Sequence, residues 1–311
     1  MKKTVIAVVG PTAVGKTALS IYLAKQLQGE IISGDSMQVY KGMDIGTAKI
    51  RKEEMAGIPH HLLDMLEPTE EYSAAAYKAD VENRIEEITA RGRLPIIVGG
   101  SGLYIQAALF DYNFPDIPRD EFRTKKLENE AREEGINQIY RRLEEVDPDQ
   151  ARKIHPNNHR RVIRALEIYE TTGKTKTEWE SEQKKEPKYN TLFIGLEMER
   201  ATLYEQINAR VDMMMEEGLL EEVTALYHAG YANTQAMKAI GYKEFIPYLE
   251  GKEGLDEAVE KLKQNSRRYA KRQFTWFKNQ LPVEWFSIHP EEKEEKFTMI
   301  LQKIAGILKM K

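Results

Sequence analysis

The feature that most constrains this chain is a phosphate-binding motif that directly follows an apolar run ending at Val9. The motif fits the pattern G-x-x-x-x-G-K-[ST], and its residues are Gly10, Pro11, Thr12, Ala13, Val14, Gly15, Lys16 and Thr17. Glycines allow backbone N–H groups to turn toward phosphate oxygens, and the start of the following helix adds partial positive charge. Lys16 supplies a full charge, and the Thr17 hydroxyl is suited to Mg²⁺. The motif therefore predicts a strand, a P-loop and a helix that bind a pyrophosphate-bearing ligand.

The other apolar runs predict an α/β fold. Beyond the first strand, short buried strands are expected at Glu30–Ser33, Leu94–Val98, Thr191–Leu196 and Val283–Ile288. Helical patterns lie between them, and Ser73 is expected to cap a helix that ends near Gly92. This alternation indicates a parallel sheet with helices on both faces, as in P-loop NTPase-like folds.

Residues 115–188 interrupt the alternation of strands and helices. Helical segments follow one another there without a strand-like run, separated by Gly135, Pro148, Pro156 and Gly173. We predict an inserted all-helical domain over residues 115–188. Residues 1–114 and 189–311 would then form a P-loop catalytic core.

Composition narrows the class of protein. The chain is 41% hydrophobic with a formal net charge of −4, so it is globular, and its overall charge gives no argument for nucleic-acid binding. The absence of cysteine excludes disulfides, thiol catalysis and cysteine-ligated zinc. No apolar stretch reaches the roughly 18 to 20 residues that a membrane span requires. We expect a cytoplasmic protein without membrane association, and a monomer.

Asp35 is a candidate general base. It follows the second predicted strand, at the edge where open α/β sheets bind ligands. The alternative is a carboxylate that only stabilises a turn. An NTP-hydrolysing protein would also need an acidic residue after a buried strand, but the best candidate strand ends in Gly99-Gly100. His60 and His61, expected in a loop, lack further ligands for a metal site.

Several further motifs occur in an order that is typical of one family. After the P-loop these segments are Asp35–Tyr40, Met43–Lys49, Ile58–Asp64, Val98–Tyr104, His159–Glu167, Glu217–Val223 and Ala239–Glu244. Together they span nearly the whole chain, and they resemble the tRNA dimethylallyltransferases, also called tRNA isopentenyltransferases. Animal and fungal members carry a zinc-finger extension, so a chain without cysteine is similar to the bacterial type.

The resemblance implies a prenyl transfer to tRNA. Members of the family move a dimethylallyl group from dimethylallyl diphosphate to the exocyclic amine of the adenosine 3′ of the anticodon. By resemblance, the P-loop holds the diphosphate with Mg²⁺, Thr17 contributes to the metal site, and Asp35 accepts the amine proton. Thr12 and Arg210 match family residues beside the diphosphate.

The resemblance also implies contacts with the anticodon stem-loop. The implied residues are Asp35, Ser36, Met37, Gln38, Ser101, Arg123, His159, Arg160, Arg161, Val162, Ile163 and Arg164. Ser101 stands where the family commonly has Thr, which keeps the hydroxyl. We further hypothesise that the Gln38 amide pairs with an adenine edge.

Two segments are locally basic, as phosphate contacts require. Residues 152–176 contain seven Lys or Arg against two Asp or Glu, and Lys261–Lys278 contains seven against none. On a helical wheel, the seven cations of Lys261–Lys278 fall on one half. A solvated or membrane-surface helix would show the same pattern.

Three other functions remain open from the sequence. An adenylate isopentenyltransferase would share the P-loop and the aspartate but would act on free nucleotides. A P-loop kinase of a small metabolite would release ADP. An RNA-binding protein with a vestigial nucleotide fold would have no activity.

Overall fold

The computed structural model describes residues 2–112, 114, 121–184 and 186–309. It divides into two compact units. The P-loop unit comprises Met1–Asp111 and Pro187–Lys311, and the insertion unit comprises Tyr112–Glu186. Pro115, the predicted first residue of the insertion, lies outside the described residues.

Within the described residues, six parallel strands form the sheet of the P-loop unit. They are β1 (Thr4–Val9), β2 (Gly29–Ser33), β3 (His60–His61), β4 (Leu94–Gly99), β5 (Asn190–Glu197) and β6 (Glu284–Ser287). Their spatial order is β3-β2-β4-β1-β5-β6, and each adjacent pair is parallel. The predicted α/β fold with a P-loop NTPase-like parallel sheet is confirmed.

The short strand β3 corrects the loop that the sequence predicts at His60 and His61. The two histidines pair in register with Ile31 and Ile32 of β2. Their rings have structural partners, because His61 Nε2 lies 2.7 Å from Glu30 Oε2 and His60 Nδ1 lies 2.8 Å from the Ile58 carbonyl oxygen. Two residues are too few for a periodic pattern, so the sequence contained no signal for this strand.

The α-helices of the described residues support both units. They are α1 (Lys16–Leu27), α2 (Ala74–Ala90), α3 (Gly102–Leu109), α4 (Glu121–Glu133), α5 (Ile136–Val146), α6 (Pro148–Lys153), α7 (His159–Thr172), α8 (Lys176–Ser181), α9 (Arg200–Glu216), α10 (Leu219–Leu226), α11 (Ile246–Leu249), α12 (Leu255–Gln280) and α13 (Lys293–Lys309). Ser73 caps α2 as predicted, since its side chain accepts a hydrogen bond from the Ala76 N–H. None of these helices is long and apolar enough to cross a bilayer.

Apolar side chains cover both faces of the sheet. Along β1, Val5, Ala7 and Val9 belong to one buried cluster, whereas Ile6 and Val8 belong to another. All five are fully buried, which requires helices on each side of the strand. The first cluster includes residues of α2, α3 and α10, and the second includes residues of α1 and α13.

The insertion unit has its own apolar core, and none of its described residues is in a strand. Leu127 of α4, Ile139 and Leu143 of α5 and Leu166 of α7 pack together there. Asp147 links two of its helices, because it caps α6 through the Gln150 N–H and also accepts hydrogen bonds from Thr177 of α8. This unit therefore has the helix-capping hydrogen bonds and the apolar core of a compact helical module.

The sheet order places three functional loops side by side. β2, β4 and β1 are adjacent, and their carboxyl ends lead into Gly34-Asp35, Gly100-Ser101 and Gly10-Pro11. Ligands of open α/β sheets bind at this edge. The candidate active site is built on these loops.

Candidate active site

The P-loop depends on glycine at two positions. Gly10 has φ +141°, and a Cβ atom there would lie 2.5 Å from the Leu196 carbonyl oxygen of β5. Gly15 has φ +100° and directly precedes α1. A side chain at either position would strain the backbone. The loop therefore turns back over the sheet edge and exposes the amino end of α1, which favours an anion.

Lys16 is turned inward on this loop. Its Nζ atom donates hydrogen bonds to the carbonyl oxygens of Gly10, at 3.0 Å, and Pro11, at 2.6 Å. Burial and the nearby Arg210 charge lower the pKa of Lys16 to about 7, although the Asp35 charge opposes them. Carbonyl dipoles alone thus only weakly compensate the ammonium charge, and an anionic ligand would compensate it better.

Asp35 lies just beyond β2 in a tight turn. Its Oδ1 atom accepts a hydrogen bond of 2.9 Å from the Met37 N–H, so it has the turn role considered above. Burial raises the pKa of its carboxyl group, and the Met37 N–H and the Lys16 charge offset part of the rise. A raised pKa makes the ionised carboxylate a stronger base.

Arg210 brings a second cation to the site from α9. Burial lowers the pKa of its guanidinium, and the Asp35 charge opposes this effect. Arg210 also lowers the pKa of Lys16, so the charges of Lys16, Asp35 and Arg210 influence one another. Two cations and one carboxylate therefore lie close enough beside the P-loop to shift one another's pKa.

Ser101 and Ser36 join the turns that follow β4 and β2. The Ser36 N–H donates a hydrogen bond of 3.1 Å to Ser101 Oγ, which itself donates to Ser36 Oγ. The backbones are equally close, because a Cβ atom on Gly99 would lie 2.1 Å from the Gly34 carbonyl oxygen. Since Ser101 is buried, its hydroxyl holds the turn that carries Asp35.

The Gln38 amide is engaged within the protein. Its Oε1 atom accepts a hydrogen bond from the Ser33 hydroxyl, and Nε2 donates to the carbonyl oxygens of Thr47 and Ala48. Pairing with an adenine edge would require Gln38 to exchange these bonds. Met37, its neighbour, is partly buried against the apolar core.

Glu222 organises the loop that Gln38 contacts. From α10 its carboxylate accepts hydrogen bonds from the N–H groups of Asp44, Ile45 and Gly46, at 2.8 to 3.0 Å, and from the Tyr242 hydroxyl. In the sequence, this residue belongs to the motif Glu217–Val223, but nothing there gives it a role of its own. It follows a second acidic residue, Glu221, and precedes the apolar Val223, a pattern that any surface helix could show.

Gln273 was missed entirely. It lies on α12, is 5% exposed, and its amide bonds to the backbone of both Thr12 and Gly100. The sequence of Lys261–Lys278 predicts a helix with a basic half and a packed apolar half, and neither pattern marks Gln273. Of the basic residues, Lys261, Lys263 and Arg267 bond to acidic or amide side chains within the protein, whereas Arg268, Lys271 and Arg272 are exposed.

Seven of the residues predicted to contact tRNA lie in the insertion unit, and the structure divides them into three groups. His159, Arg160 and Arg161 are exposed at the start of α7. Val162 and Ile163 are buried in the core of the unit, so their side chains do not reach the surface. The remaining two make internal bonds: Arg164 pairs with Glu167 at 2.9 Å, and Arg123 donates to the Glu170 carbonyl oxygen.

The residues beside the P-loop fit a metal ion only together with a ligand. No group of three or more His, Asp or Glu side chains among the described residues could hold a metal by itself. The Thr17 hydroxyl stands at the start of α1 and has no hydrogen-bonding partner among the described residues. Mg²⁺ commonly binds through one such oxygen together with substrate phosphates and water.

The fold and the site define a P-loop protein with a cationic anion site and a neighbouring carboxylate. Residues 38–280 match the model of the IPP transferase family. The chain is 56% identical to the tRNA dimethylallyltransferases of Oceanobacillus iheyensis and Geobacillus thermodenitrificans, over 100% of its own length and 99% of each relative. Both relatives carry the same name, tRNA dimethylallyltransferase.

Solved structures give the same result. The tRNA isopentenylpyrophosphate transferase of Bacillus halodurans is 49% identical, with a TM-score of 0.74 over 100% of this chain and 98% of that one. A eukaryotic dimethylallyltransferase acting on tRNA is 38% identical, with a TM-score of 0.78 over 92% of this chain and 74% of its own. The chain belongs to the IPP transferase family. The resemblance seen in the sequence, and the prediction of a prenyltransferase, are confirmed.

The pKa of Lys16 predicts proton uptake when a diphosphate binds. Above pH 7 the free side chain is mostly neutral, and a bound anion would raise its pKa and restore the charge. Calorimetry of diphosphate binding in buffers of different ionisation enthalpy should show uptake approaching about one proton at pH 8 and little at pH 6.

Lys16→Arg is the matched control, because its guanidinium is charged in both states. Its proton uptake should not show the extra rise between pH 6 and pH 8. Equal uptake curves for the two proteins would contradict the assignment to Lys16.

Proposed function

We propose that the protein transfers the dimethylallyl group of dimethylallyl diphosphate to the exocyclic N6 amine of the adenosine 3′ of the anticodon in tRNA. Diphosphate is released. The observation that carries the proposal is the cluster of Lys16, Arg210 and Asp35 beside the P-loop, because it offers two cations for an anionic leaving group and one base. The names of the relatives and solved neighbours support the same reaction.

The P-loop side of the site suits the leaving group. Negative charge grows on the diphosphate as the bond to the allylic carbon breaks, and stabilising that charge lowers the barrier. The backbone N–H groups at the start of α1, the Lys16 ammonium and the Arg210 guanidinium would bind it. The Thr12 hydroxyl belongs to the same loop and would add a donor.

The Asp35 side of the site suits the nucleophile. An adenine amine is weakly nucleophilic and must lose a proton as the new C–N bond forms. Asp35 would accept that proton, and its raised pKa would strengthen it as a base. The amine attacks the allylic carbon, the C–O bond to the diphosphate breaks, and the proton passes to the Asp35 carboxylate.

The Thr17 hydroxyl is the protein group that would hold Mg²⁺. The ion would neutralise diphosphate charge when it is bound. Lys16 and Arg210 would share that role from the protein. Because the described residues contain no carboxylate cage for a metal, we propose that the ion arrives with the donor.

Two exposed basic surfaces suit the tRNA backbone. One is the start of α7 in the insertion unit, with Arg160 and Arg161, and the other is the exposed side of α12, with Arg268, Lys271 and Arg272. Phosphate contacts of this kind position a nucleic acid without reading its sequence. We propose that the insertion unit binds the anticodon stem-loop and that the protein acts as a monomer.

Transfer of label from dimethylallyl diphosphate tests the proposal against its rivals. We expect incorporation into an unmodified anticodon stem-loop, little into AMP, and no ADP release with ATP. Preferential labelling of AMP would indicate an adenylate isopentenyltransferase, and ADP release would indicate a kinase. RNA binding without transfer of label would indicate an RNA-binding protein that has no enzymatic activity.

Replacing Asp35 should separate chemistry from binding. Asp35→Asn keeps an oxygen that can accept from the Met37 N–H but removes the base, so kcat should fall about 10²- to 10⁴-fold. The Kd for tRNA should change by less than about twofold. Asp256→Asn, at an exposed position of α12, serves as the control. A normal kcat in Asp35→Asn would leave Asp35 with the turn role alone.

Removing the exposed arginines of α7 should weaken tRNA binding. In the double variant Arg160→Ala and Arg161→Ala, the slope of log K against log salt should become shallower by about 0.7 to 0.9 per lost phosphate contact. Arg93→Ala removes an exposed arginine next to the amino end of β4, at the opposite edge of the sheet, and should leave the slope unchanged. An unchanged slope in the double variant would place the RNA elsewhere.

A further inference from the structure

Gln273 connects two loops that are far apart in sequence. Its Oε1 atom accepts a hydrogen bond of 2.9 Å from the Thr12 N–H, 261 residues away, and its Nε2 atom donates one of 3.1 Å to the Gly100 carbonyl oxygen. The side chain is buried, so neither bond competes with much water. One planar amide therefore joins the P-loop to the turn after β4.

The chemistry of the position calls for an amide. The Thr12 N–H needs an acceptor and the Gly100 carbonyl needs a donor, and a glutamine side chain supplies both from one end. A carboxylate would lack the donor, and a lysine or arginine would lack the acceptor. Gln273 is thus matched to this pair of backbone groups by hydrogen-bonding type.

Helix α12 packs tightly against the turn that follows β4. A Cβ atom on Gly100 would lie 2.0 Å from Gln273 Nε2, and one on Gly102 would lie 2.2 Å from the Trp276 ring, on the same side of α12. Helix α12 therefore lies directly against the backbone of the turn. A shift of the helix would move both hydrogen bonds of Gln273.

The turn that Gln273 holds is hydrogen-bonded to the turn that carries the proposed base, Asp35. Ser101 follows Gly100, and its hydroxyl accepts from the Ser36 N–H, next to Asp35. Thr12, at the other end, lies in the loop proposed to hold the diphosphate. Gln273 thus connects the loop proposed to hold the diphosphate with a turn that is hydrogen-bonded to the one carrying Asp35.

We propose that Gln273 is a positioning residue that fixes the distance between the bound diphosphate and Asp35, and so aligns the allylic carbon with the attacking amine. This role rests on the proposed function. Misplacement of reacting groups by about 1 Å can lower a rate by about 10²-fold. Loss of Gln273 should therefore reduce turnover while leaving both substrates able to bind.

Gln273→Met tests the role with a side chain of similar length and no hydrogen bonds. We expect kcat to fall by about 10²-fold, the KM for dimethylallyl diphosphate to change by less than about threefold, and the Kd for tRNA by less than about twofold. Gln280→Met, at the exposed end of the same helix, should behave as the unaltered protein. Rates are expressed per folded molecule, from thermal unfolding and circular dichroism.

Gln273→Glu tests the hydrogen bonds by titration and also serves if the Met variant does not fold. An ionised Glu repels the Gly100 carbonyl, but a protonated one donates to it, and burial raises its pKa toward the assay range. The ratio of kcat in the unaltered protein to kcat in Gln273→Glu should therefore shrink from pH 8 to pH 6. Asp35 and the substrates titrate as well, so full pH profiles of both proteins are compared, and the expected result is an additional ionisation that only Gln273→Glu shows.

The outcomes separate this inference from the proposed function. No transfer by the unaltered protein would overturn the function itself. Normal transfer by the unaltered protein with an equal kcat in Gln273→Met, or a kcat ratio for Gln273→Glu that does not change with pH, would overturn the role of Gln273 alone. A loss of tRNA affinity as large as the loss of kcat would also overturn it.

Discussion

The burial of two basic side chains beside the P-loop is the constraint on which the site depends. Lys16 and Arg210 are held near one carboxylate, Asp35, and burial lowers the pKa of both cations. Such an arrangement is unfavourable for the empty protein and favourable for a bound anion. Lys16 and Asp35 follow the strands β1 and β2, and Arg210 lies on α9, so regular secondary structure carries or directly precedes all three groups. The site is thus organised for an anion before one binds.

Features encoded by neighbouring residues could be predicted from the sequence. The P-loop, its flanking strand and helix and the cap at Ser73 each depend on a few consecutive positions. Asp35 was found because parallel strands deliver the residues that follow them to one edge. The family was recognised because its motifs recur in order along the whole chain. In each case the physical signal lies in a short stretch of sequence.

Features that depend on tertiary contacts could not be predicted. Gln273 and Glu222 look like ordinary helix residues, and their importance comes from backbone groups of distant loops. Val162 and Ile163 stand between arginines in the sequence of α7, but both side chains pack into the core of the insertion unit. β3 has two residues, too few for any pattern. Side-chain direction and distant pairing were the missing information in all these cases.

The pairing of β1 has a consequence for the order of assembly during synthesis. β1 is made first, but its neighbour β5 begins at Asn190, after the insertion unit, and Gln273 follows later still. A nascent chain that has only just completed the insertion therefore carries a P-loop with neither the Leu196 carbonyl nor the Gln273 amide beside it. The insertion unit, with its own core, has all its residues before the sheet is complete. The P-loop thus acquires these neighbours only after β5 and α12 have been synthesised.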